Sequence, residues 1–112
     1  MPLSENVRIE VFLPDLQTPS YRNLLETLER EFTYTFGGCT IIPGLDGTYL
    51  SQAGLSMHDK VNIIFTDLPL NLDNNLDRLS RYTDHLSRAA FDALEEEAVL
   101  VTAFRVYHAE IS

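Results

Sequence analysis

The spacing of apolar residues switches between two periods along this chain, and that switching limits its architecture more than any other feature. Val7, Ile9, Val11 and Leu13 recur at every second position, with Arg8, Glu10 and Phe12 between them. This is the period of a half-buried strand. After the two prolines of "PDLQTP" the spacing lengthens, and Tyr21, Leu25, Leu28 and Phe32 fall at i, i+4, i+7 and i+11, with Leu24 widening the stripe. A helix from Pro19 to about Phe36 gathers them on one side. Thr18 followed by Pro19 suits its N-cap, and Gly37 stands where helices commonly end in a left-handed residue.

The run "CTII" (39–42) is short and β-branched, and the turn signals Pro43-Gly44 and Asp46-Gly47 follow it. "TYLS" (48–51) is therefore expected to pair back across Asp46-Gly47 as a hairpin. "VNIIFTD" (61–67) alternates again. A second helix is expected from about Asp73 to Glu96 on the stripe Leu72, Leu76, Leu79, Thr83, Leu86, Ala90 and Leu94. "AVLVTAFRVYHA" (98–109) closes the chain as a strand rich in valine and aromatics. Strand, helix, two strands, helix, strand is the split βαβ order, βαββαβ. Right-handed crossovers then place both helices on one face of a four-stranded antiparallel sheet, a ferredoxin-like α+β fold. Residues 1–6 are expected to be disordered and residues 7–110 to form one domain.

Charge narrows the partners. Seventeen acidic residues against eight basic ones leave a formal net charge of −9. A surface so acidic repels phosphate backbones and anionic bilayers, so neither nucleic acid nor membrane is expected as a partner. No apolar run approaches the roughly 20 residues of a membrane span. The start "MPLSENVRIE" lacks the basic and apolar regions of a secretory signal. The lone Cys39 excludes an internal disulfide and suits a reducing cytoplasm. With no histidine beside it in sequence, Cys39 reads as a buried structural cysteine rather than a nucleophile.

"FGGCTIIPGLDGTYLSQAG" (36–54) holds all five glycines. A phosphate-binding glycine loop has a strand entering and a helix leaving, so that free N–H groups meet the anion at a positive helix end. Here a helix enters and a strand leaves, which sets Gly37 and Gly38 at the carbonyl end. These glycines turn the backbone. The segment resembles one in a group of small bacterial proteins of ferredoxin-like fold, which share Gly-Gly-x-Thr followed by Gly-x-aromatic. The matching residues are Gly37, Gly38, Thr40, Gly47 and Tyr49, within a likeness spanning residues 7–66. That resemblance implies the fold and carries over no catalytic residue.

His58, His85 and His108 lack a second ligand at metal spacing, so no metal or cofactor is expected. The nearest approach is His108-x-Glu110, which shares one strand face. Glu95, Glu96 and Glu97 sit at the expected C-terminus of the second helix, a misfit with its dipole that suits a basic partner.

Two functional readings follow. In the first, Val7, Ile9, Val11, Val61, Ile63 and Phe65 face the helices, with Leu100, Thr102, Phe104, Val106 and His108 of the last strand also inward. Phe12, Ile64, Val99, Val101 and Tyr107 then make an uncovered apolar face, and the chain is a homo-oligomer, most simply a dimer, acting in interaction or regulation. In the second, Asp46, Tyr49, His58 and Asp67 supply polar groups to a small-ligand site or proton-transfer enzyme on the open face or in the glycine-rich loop. A nucleic-acid mimic would rest on charge alone.

Overall fold

Thr18 and Gly37 bound the first helix through local chemistry. In the computed structural model, which describes residues 2–94 and 99–109, helix α1 runs Pro19–Phe36. The Thr18 Oγ accepts a hydrogen bond from the Tyr21 N–H at 3.2 Å, and Pro19 occupies a first-turn position where its missing N–H costs nothing. Gly37 takes φ +96°, and its N–H donates to the Thr33 carbonyl at 3.0 Å. Only glycine adopts that conformation freely.

Strands β1 (Leu3–Pro14), β2 (Thr40–Leu50), β3 (Ser56–Leu68) and β4 (Leu100–Ala109) form one antiparallel sheet in the order β2-β3-β1-β4. A 3-10 turn at Asp73–Asn75 leads into helix α2, Leu76–Leu94. The order is βαββαβ, and the fold is ferredoxin-like. Residues 3–6 belong to β1, so the first strand starts earlier than the alternation of residues 7–13 indicates. Leu3, Ser4, Glu5 and Asn6 find partners in Ala109, His108, Tyr107 and Val106, a stabilisation that only the distant β4 provides.

The hairpin turns in a different place from the one that Asp46-Gly47 suggests. Gly47 lies inside β2 opposite Asp59, and the chain reverses at residues 51–55. There the Ser51 N–H donates to the Leu55 carbonyl at 2.8 Å, and Gly54 takes φ +79°. Pro43-Gly44 makes a bulge between Ile42 and Leu45 rather than a reversal. Turning at Gly47 would forfeit the pairing of residues 48–50 with residues 56–58, so the longer ladder prevails. Beyond Pro14↔Val61, the last β1–β3 pair, β2 and β3 continue without β1 as a two-stranded arm. The molecule is correspondingly long, 50 × 28 × 27 Å.

The core lies between the sheet and both helices. Val7, Ile9, Val11 and Leu13 of β1 meet Tyr21, Leu24, Leu28 and Phe32 of α1 and Leu79, Leu86, Ala90 and Leu94 of α2. On β3 and β4, however, the sides are the reverse of those expected. Ile64 is fully buried in the core opposite Val11, whereas Ile63 pairs with Phe12 on the other face. Val99 is 5% exposed within the core, and Val101 and Ala103 pack against it. Tyr107 pairs with Glu5 on the helix side, near its end. Of the expected open-face residues, Ile64, Val99, Val101 and Tyr107 are therefore on the helix side, and Phe12 alone is on the open side.

Buried hydrogen bonding explains the reversal on β3. The helix-facing set includes Asn62 and Thr66, 8% and 2% exposed, which hydropathy would send outward. The Asn62 amide donates to the Tyr21 hydroxyl and to Asp15 Oδ1 at 3.3 Å, and its carbonyl oxygen accepts from the Gly44 N–H at 2.8 Å. Thr66 Oγ donates to the Gly38 carbonyl at 2.7 Å. With these partners the polar atoms lose little on burial. Along β4, the helix-side Arg105 pairs with Asp73 at 2.9 Å and Glu5 at 3.6 Å.

Candidate functional site

The face of the sheet away from the helices carries most of the chemistry. Strand alternation places Arg8, Glu10 and Phe12 of β1 there, with Val61, Ile63, Phe65 and Asp67 of β3 and Leu100, Thr102, Phe104, Val106 and His108 of β4. Leu45 and Tyr49 extend this face along the arm. Leu100 is 57% and Phe104 38% exposed, so large apolar groups remain in contact with water.

At one end of this face three strands contribute a charged cluster. Arg8 grips Asp67 with both branches of its guanidinium, Nε to Oδ1 at 2.7 Å and Nη2 to Oδ2 at 2.9 Å. The guanidinium carbon stands 4.1 Å from the centre of the Phe65 ring, within cation–π range. His108 Nε2 lies 2.9 Å from Asp67 Oδ2. The hydrogen bond from Arg8 holds the Asp67 carboxyl below its ordinary range; partial burial opposes this, and His108 reinforces it. The same bond raises the Arg8 pKa. Asp67 is thus an ionised, neutralised acceptor, a state suited to holding strands in register and unsuited to taking up a proton.

At the other end, where β1 and β4 stop and the arm continues, lies a cleft of about 850 Å³. Phe12, Tyr49, Met57, Val61 and Leu100 supply apolar walls, and Asp59 supplies a carboxylate. Gly47 lines the same cleft, and a Cβ added there would come within 3.1 Å of Val61 Cγ2. The glycine lets the two strands of the arm pack closely at that point.

The polar residues singled out in the sequence do not converge. Asp46 pairs with Lys60 Nζ at 2.5 Å on the arm, which lowers its pKa, and His58 Nδ1 lies 3.2 Å from Thr48 Oγ on the same side. Tyr49 projects from the opposite side of β2, into the cleft. Asp67 is eight pairings from Asp59 along β3, at the other end of the open face. The sequence reading missed Arg8, His108 and Asp59 as members of these two sites. Opposed charges at matching strand parity, Arg8 and Asp67, were the available signal, but it needed the register to be read.

Cys39 is half-buried against the core beside the end of α1. Glu95, Glu96, Glu97 and Glu110 lie outside the described residues. Among those described, no group of three or more His, Cys, Asp or Glu side chains could hold a metal ion, and no helix is long and apolar enough to cross a membrane.

No protein-family model matches the chain, nor does any curated protein sequence. Solved structures do. The chain is similar to CutA1 from Oryza sativa, with a TM-score of 0.59 and 15% identity over 96% of this chain and 84% of that one. It is also similar to CPII, a nitrogen regulatory PII-like protein from Thiomonas intermedia K12 whose structure holds ADP, AMP and bicarbonate. There the TM-score is 0.51, with 15% identity over 97% of this chain and all of that one. At such identities the likeness shows the shared fold.

Proposed function

We propose that this chain is a homo-oligomeric regulatory module that associates through the open face of its sheet. The observation that carries this reading is the uncovered apolar surface of Leu100 and Phe104 with the half-buried Phe12 and Val61, away from both helices. Apolar patches of this kind mark interaction sites. Burying about 400 Å² per subunit would contribute roughly 10 kcal/mol at 25 cal/mol/Å², before the cost of association. The regulatory part of the reading draws on the fold shared with CPII, which is described as a nitrogen regulatory PII-like protein. The net charge of −9 argues against nucleic-acid and membrane partners, and the single cysteine accords with a cytoplasmic setting.

Light scattering on the eluting protein tests association directly. At micromolar concentration the wild type should exceed the 12.7 kDa of one chain, and Phe104→Glu should return it to that mass. A wild-type protein that stays at one chain's mass up to about 100 μM, well above the range typical of stable assemblies, refutes the reading.

A further inference from the structure

We infer that the cleft at the base of the arm binds an organic cation with an aromatic or otherwise apolar body. This rests on the cleft's own chemistry; because Phe12, Val61 and Leu100 belong both to the cleft and to the proposed association face, binding is read on Phe104→Glu as well as on the wild type.

The charge pattern comes first. The acids at the two ends of the open face differ in state. Asp67 is neutralised by the two-pronged contact with Arg8. Asp59 has no cationic partner among the described residues; its Oδ1 accepts only the neighbouring Lys60 N–H, at 3.1 Å. The Lys60 ammonium itself is turned away, bound to Asp46 across the arm. Among the described residues, no lysine or arginine lines the cleft. A carboxylate held among apolar walls gains most from a cation that also covers those walls.

Shape and surface agree. About 850 Å³ falls within the range of small-molecule sites, which are typically mainly apolar with a few placed polar groups. Phe12 and Tyr49 offer ring surfaces, and Met57 a polarisable thioether. Rings attract cations through their quadrupoles, and a thioether adapts to an aromatic or aliphatic body. A phosphate-bearing ligand would meet Asp59 with no cation among the described lining residues to compensate it, so the adenine nucleotides held by CPII do not suit this cleft.

The probe is benzyltrimethylammonium, with AMP as the anionic comparison, followed by calorimetry and by NMR shifts of the Tyr49 and Met57 side chains. The cation should bind the full chain at micromolar to low-millimolar concentration and shift both residues. Asp59→Asn, which keeps the side-chain shape, should weaken binding about tenfold or more, and Tyr49→Leu should weaken it several-fold. Lys60→Met removes a charge outside the cleft and should leave binding unweakened. AMP should not bind there. Absent cation binding, affinity unchanged in Asp59→Asn, or AMP shifting the same residues equally well would each overturn the assignment. Light scattering on the same samples reports association separately, so failure of one reading is distinguishable from failure of the other.

Discussion

Replacing Asn62 with alanine is the sharpest test of how β3 is oriented. Asn62 is 8% exposed and joins three elements, donating to Tyr21 of α1 and Asp15 of the loop before it while accepting from the Gly44 N–H at the β2 bulge. Each net hydrogen bond is worth about 1 kcal/mol, and a buried group left unsatisfied costs about 1–3 kcal/mol more. Tyr21 is 4% exposed, and burial, as the larger effect, raises its hydroxyl pKa against the Asn62 hydrogen bond. That hydroxyl would therefore suffer the loss. Asn62→Ala should destabilise by about 3–4 kcal/mol, out of a typical total of about 5–15 kcal/mol. Urea denaturation at one fixed protein concentration measures this, because any association would make the midpoint concentration-dependent. Tyr21→Phe alone should cost about 1–2 kcal/mol, and the double variant less than the sum by at least about 1 kcal/mol, since both remove one bond. A cost below about 1 kcal/mol for Asn62→Ala would mean that Asn62 faces solvent, and strict additivity that it makes no bond to Tyr21; either result would refute this account of how β3 is oriented.

Two further outcomes follow from local geometry. Because folding lowers the Asp67 pKa, the stability it contributes is complete above its unfolded value of about 4 and disappears as pH falls through the lower folded value. Asp67→Asn should therefore cost about 1–2 kcal/mol at pH 7 and flatten the acid limb of the stability profile below about pH 4, measured by thermal unfolding across pH. Gly37→Ala, at φ +96° with open space around the missing Cβ, should cost about 1 kcal/mol through backbone strain alone, read from the same urea curves.

The sequence by itself determined the order and type of the elements. Thr18, Pro19 and Gly37 mark the ends of α1 through interactions within a few residues, so a linear reading finds them. The stripe Leu79, Leu86, Ala90 and Leu94 likewise defines the buried side of α2, although Leu76 at its start is 57% exposed. Local order of this kind was enough for the ferredoxin-like architecture.

Only the tertiary structure decided which side β3 and β4 present to the helices. Ile63 and Ile64 are adjacent, and on β4 Val101 and Phe104 lie on opposite faces, so hydrophobicity favours neither orientation strongly. Asn62 tips the balance by reaching Tyr21, 41 residues away, and Arg8 meets Asp67 across 59 residues. A strand that is apolar on both sides carries no local instruction about which to bury. Hydrogen bonds that exist only once distant segments meet supply it, and they leave the cleft and the uncovered face where they are.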